Sequence, residues 1–159
     1  MKQKELAFWI KFVILGTAVC GLIIYAWFFP HITGYLIEQN AILQKNELPW
    51  LILIWISAIP CYAVLVFGWL ISSNIGRDNS FSVANANYLK WVSYMALIDV
   101  AYFFIVNVVM LIIDKSHPFI MAVGLVVCFV GTAFSVCAAA LSHLVKKASE
   151  IKEENDYTI

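Results

Sequence analysis

Four apolar runs of about 25 residues each constrain this chain more than any other feature, because each is long enough to cross a bilayer as a helix. They occupy residues 6–29, 48–72, 88–113 and 119–144. The longest polar interruption, Arg77-Asp78-Asn79-Ser80-Phe81-Ser82-Val83-Ala84-Asn85, separates two runs from the other two. Composition supports the same reading. The chain is 63% apolar and 13% charged, against roughly 45–50% and 25% for soluble domains. One core of 159 residues cannot hide so much apolar surface, whereas lipid can. The expected fold is an all-α integral membrane protein: four transmembrane helices in two antiparallel hairpins, forming one domain over residues 1–159.

The first run follows Lys2 and Lys4 but ends in Trp27-Phe28-Phe29-Pro30. It is too long for a signal-peptide core and lacks small residues for cleavage, so it reads as a retained anchor. Lys11 is expected to snorkel to the headgroups. Between Pro30 and Glu47, apolar and polar residues alternate at helical spacing, which predicts a short helix on the membrane surface. Pro60 interrupts the second run and predicts a kink. Ser82 predicts an N-cap for the third helix, with its hydroxyl near the amide of Asn85 and Phe81 just outside. Only Asp114-Lys115-Ser116-His117 precedes Pro118, so the third and fourth helices must be antiparallel neighbours. The fourth continues into a polar tail, residues 145–159.

Lys2, Lys4, Lys11, Arg77, Lys90, Lys146, Lys147 and Lys152 fall on one side, and Lys45 and Lys115 on the other. The positive-inside rule makes the first side cytoplasmic, with both termini and the loop at residues 73–87 inside. The expected location is a bacterial cytoplasmic membrane.

Small residues recur along the fourth helix at Gly124, Cys128, Gly131, Ser135, Ala138 and Ser142. Close backbone approach drives helix association in lipid. The stripe therefore packs against another helix of the chain or against a second copy as a homodimer. Gly16, Cys20 and Gly21 form a weaker stripe on the first helix. Cys20, Cys61, Cys128 and Cys137 lack paired spacing and read as small buried apolar residues.

Asp99 lies near the middle of the third run, at a depth where a carboxylate costs about 2.5–3.5 kcal/mol. Thr17, Ser57, Thr132 and Ser135 fall near the midpoints of the other runs, so a thin polar layer around Asp99 is one reading. A proton or ion relay in a small transporter or channel is the other. No phosphate loop, nucleophile elbow or zinc-protease pattern is present. No enzymatic activity, cofactor or metal site is expected, and the basic residues are too scattered to grip nucleic acid.

The tail Asn155-Asp156-Tyr157-Thr158-Ile159, together with Phe81, Ser82, Asn85 and Leu89 after the second run, resembles the YoaS-like family of small bacterial membrane proteins. Members typically end in Asn-Asp-x-Thr-Ile. Their loop usually carries proline where this chain has Asn79-Ser80. The family has no defined function but is often encoded beside a small Cro-type helix-turn-helix regulator. The resemblance implies a non-enzymatic membrane partner for such a regulator. Its contact set would be Phe81, Ser82, Asn85, Glu153, Glu154, Asn155, Asp156, Thr158 and Ile159. An immunity-type protein shielding a membrane target is a further alternative.

Overall fold

The computed structural model describes residues 3–39, 47–114, 116 and 118–156. Its helices are α1 (Gln3–Ile23), a π turn (Ile24–Phe28), α2 (Phe29–Gln39), α3 (Glu47–Ile75), α4 (Val83–Ile112) and α5 (Pro118–Asp156). Four helical stretches, Gln3–Ile32, Leu51–Ile75, Val83–Ile112 and Pro118–Asn155, are long and apolar enough to span a membrane. The chain is an all-α membrane protein with four spans.

The exterior is apolar and the interior contains many small and polar residues. Ile59, Ile112, Phe119 and Phe129 are each at least 70% exposed, while Ser57, Ser72, Ser93, Asn107 and Ser135 are buried. That inversion suits a hydrocarbon solvent, in which small residues permit close packing and hydroxyls bond across helices. The principal contacts follow chain order: α1 on α3, α3 on α4, α4 on α5.

Of the expected α1 stripe, Gly21 takes part in the α1–α3 contact, whereas a Cβ at Gly16 would meet nothing within 4 Å and Cys20 is exposed. The contact also uses Ala7, Ile14 and Ala18. Ser72 donates to the carbonyl of Ala7 at 2.8 Å, and Tyr62 donates to that of Ala18 at 2.8 Å. Gly21 leaves room for the Tyr62 hydroxyl, which a Cβ there would meet at 3.0 Å. Lys11 places its ammonium 5.0 Å from the Trp69 ring centroid.

α3 ends where backbone geometry dictates. Asn79 N–H reaches the carbonyl of Asn74 at 3.0 Å and Asp78 N–H reaches that of Ile75 at 3.1 Å. With Asp78 at φ 57°, this is a Schellman ending, with aspartate in the left-handed position that glycine usually fills. Ser82 then caps α4, accepting from the amide of Asn85 at 3.3 Å. The Asn85 side chain fastens the loop: its amide donates to the carbonyls of Asn79 and Ser80, and its oxygen accepts from Asn74 at 2.7 Å.

The fourth-helix stripe is covered within the chain. Ser135 donates to the Ser93 carbonyl at 2.9 Å, Ser142 to the Ala86 carbonyl at 2.7 Å, and Gly131 faces Val100. Of the two packings expected for the stripe, this is the one within the chain: α4 occupies that surface. α5 runs unbroken for 39 residues, about 58 Å. It therefore extends well past a hydrocarbon layer, as the lack of any break signal predicts.

The cysteines differ from expectation: only Cys128 is buried, and Cys20, Cys61 and Cys137 are exposed. The segment after the first span differs too. Phe29 keeps helical angles, so α2 prolongs the first span instead of forming a separate surface helix. The π turn absorbs Pro30 without a break. Residues 40–46 of that predicted helix lie outside the described residues.

Candidate functional site

The π turn begins the site. In its wider register Phe29 N–H bonds the carbonyl of Ile24, five residues back. Pro30 has no N–H to offer the next carbonyl, that of Tyr25. The indole of Trp55 on α3 takes that place at 3.1 Å. Such single π turns are frequent at functional sites. Here the turn directs the Tyr25 hydroxyl toward α3, 3.4 Å from Ser57 Oγ and 3.8 Å from Cys61 Sγ. Cys61 in turn donates to Asp99 Oδ2 at 3.6 Å. A polar thread from the first span thus reaches the carboxylate on the third.

These groups line a cleft of about 950 Å³. Apart from Asn107, its remaining wall is apolar and aromatic, including Phe29, Val64, Phe103, Val123, Val127 and Phe134. Phe119, Val126, Val130 and Phe134 are each more than half exposed, so the cleft opens sideways onto lipid. Gly124 and Gly131 keep the α5 wall low. Among the described residues no lysine, arginine or histidine lines the cleft. Asp99 therefore faces it without a cationic partner, and its Oδ1 is buried with no hydrogen bond among the described residues.

The expected polar layer does not assemble around Asp99. Thr17 bonds the carbonyl of Val13 and Thr132 that of Cys128, each four residues back on its own helix. Ser135 pairs with Ser93, and Ser57 bonds the carbonyl of Ile54. Of the four hydroxyls only Ser57 borders the cleft with Asp99. Equal depth does not place side chains at equal angles around their helices, and threonine readily satisfies itself on its own helix.

Two residues of the cleft escaped the sequence reading. Tyr25 carried no signal beyond its distance from Pro30. Asn107 was detectable as an amide eight positions after Asp99, about 12 Å along one helix. It is 3% exposed, donates to the carbonyl of Phe103 at 2.8 Å, and has no donor for Oδ1 among the described residues.

The residues assigned to a regulator are divided. Phe81 is 56% exposed, and Glu153, Glu154 and Asn155 are exposed on α5. Asn85, by contrast, is 1% exposed with its side chain fully engaged, so it cannot touch a partner, and Ser82 serves as the α4 cap. α5 ends at Asp156, while Thr158 and Ile159 lie outside the described residues.

Four spans surrounding a single intramembrane acid define a small polytopic membrane protein. The chain belongs to the family described as "Protein of unknown function (DUF2975)", whose model matches residues 31–159. It is 29% identical over 154 residues to the uncharacterized membrane protein YoaS of Bacillus subtilis (strain 168), covering 94% of each chain. No solved structure matches.

Proposed function

We propose that the chain is a non-enzymatic membrane receptor whose Asp99 cleft binds a small lipophilic molecule carrying a cationic or hydrogen-bond-donating group. One observation carries this reading: a carboxylate with no cationic partner among the described residues lines a largely apolar cleft of about 950 Å³. A bound cation would offset the cost of a charge at that depth, and the aromatic walls suit a cation's apolar substituents. Tetraphenylphosphonium binding to the reconstituted protein tests it. Asp99→Asn keeps the shape and removes the charge, so it should weaken binding roughly 30- to 100-fold, the Coulomb attraction of two unit charges about 6–8 Å apart at an effective dielectric of about 20. Equal affinity of the two proteins would exclude Asp99 from ligand recognition. The same site could serve a small transporter or channel, in which case Asp99→Asn would abolish flux across sealed vesicles.

A second reading rests on the 56% exposure of Phe81 beside the projecting α5 tail. In it, this end is cytoplasmic and holds a small helix-turn-helix regulator. The clustering there of Lys4, Lys11, Arg77, Lys90, Lys146, Lys147 and Lys152 supports the orientation. The acidic Glu153 and Glu154 suit a basic DNA-binding partner. Phe81→Ala, or removal of residues 155–159, should sharply lower recovery of the regulator in pull-down while leaving thermal stability unchanged. Undiminished recovery removes this surface from the reading. So does labelling of a cysteine at Asn155, in a background without native cysteines, by an impermeant reagent on intact cells.

A further inference from the structure

A second cleft, of about 300 Å³, lies between α4 and α5 toward the end that carries the Arg77 loop. Its chemistry is the reverse of the first. Lys90 and Tyr94 line it from α4, and Ala139, His143 and Lys146 from α5, with no carboxylate in the wall among the described residues. The two wall serines are already engaged, Ser93 with Ser135 and Ser142 with the carbonyl of Ala86. Donors for a ligand therefore come from Lys90, Lys146, His143 and the Tyr94 phenol. Lys90 is held at 5.7 Å from the Tyr94 ring centroid. Lys146 has a neighbour in Glu150 at 3.9 Å, but both are more than half exposed, and a pair so solvated leaves most of the lysine's charge available.

The surroundings point to lipid. Trp91 packs edge-on against Tyr94 at 6.2 Å and both are exposed, as in the aromatic belt at a membrane surface. One or two turns deeper on the two helices, Leu97 and Val136 are 49% and 62% exposed, an apolar track suited to acyl chains. Ala139 leaves the groove open where a larger side chain would fill it. We infer that this cleft binds the phosphate of an anionic phospholipid headgroup in the leaflet nearest the Arg77 loop. Basic recesses between spans are suited to such headgroups.

The experiment is native mass spectrometry of protein purified from bilayers of mixed phosphatidylglycerol and phosphatidylcholine. The wild-type protein should retain phosphatidylglycerol in preference. Lys90→Gln or Lys146→Gln should each lower that preference about fivefold, the effect of one lysine near a charged leaflet. Ala139→Phe should lower it at least as much with no change in charge, since Ala139 is exposed and a larger side chain there would fill the cleft. Lys147→Gln, one residue away but outside the cleft, should remain near wild type. Equal retention of the two lipids overturns the inference. Equal losses in Lys146→Gln and Lys147→Gln also overturn it, reducing the effect to a general positive field. In neutral detergent, inorganic phosphate alone should stabilise the protein less than phosphatidylglycerol does; equal stabilisation would mark a free-anion site and overturn the lipid assignment.

Discussion

Gly131→Ala should destabilise the protein by about 1–3 kcal/mol, the range for overpacking a close contact. A Cβ at Gly131 would stand 2.5 Å from Val100 Cγ2. Valine in a helix has essentially one side-chain rotamer, so Val100 cannot swing aside and the two backbones must separate. Separation would also stretch the neighbouring Ser135–Ser93 contact at 2.9 Å. Gly16→Ala supplies the opposite sign. Nothing lies within 4 Å of its Cβ position, so better helix propensity should stabilise by about 0.5–1 kcal/mol. Adding Val100→Ala to Gly131→Ala should recover much of the loss, since the two are direct partners. Thermal unfolding in detergent reads all four proteins. A Gly131→Ala protein as stable as Gly16→Ala would refute the α4–α5 register.

Asn85→Ala should cost on the order of 2–4 kcal/mol. The residue is 1% exposed, and truncation leaves the carbonyls of Asn79 and Ser80 and the amide of Asn74 without their partner. Partly buried polar groups stranded in this way cost about 1–3 kcal/mol each, less whatever water recovers. Asn85→Asp keeps the acceptor and loses both donors, so it should fare little better. Trypsin cleavage after Arg77 offers a local readout, because loosening the loop exposes that bond before the spans unfold. Unchanged cleavage and unchanged thermal stability together would contradict the described loop.

These residues also show which features the sequence disclosed. The Ser82 cap was readable because capping is a local contract between a hydroxyl and an amide three positions on. The length of α5 was readable because nothing in Leu144-Val145-Lys146-Lys147 breaks a helix. The site was less accessible. Asp99 stood out as an acid in an apolar run, and position along the chain put it near the middle of that run. Depth says nothing of direction around the helix axis, however, and Thr17 and Thr132 turn to their own backbones. Asn85 was misread because a polar loop residue resembles a contact residue until its three partners are seen. The π turn depends on Trp55, thirty positions from Tyr25, and no local pattern records such a meeting.

The unbroken α5 joins the two ends of the molecule mechanically. Gly124 and Gly131 form part of the Asp99 cleft wall, and the same helix carries Glu153, Glu154 and Asn155 at its far end. Among the described residues no proline follows Pro118 to act as a hinge. From Gly131 to Asp156 the helix spans roughly 37 Å. A tilt of about 5° at the cleft would sweep the tip sideways by about 3 Å. The helix is a lever whose longer arm runs from the cleft through the rest of the apolar run and beyond it, so a change too small to reshape the spans is still displaced geometry at the tip.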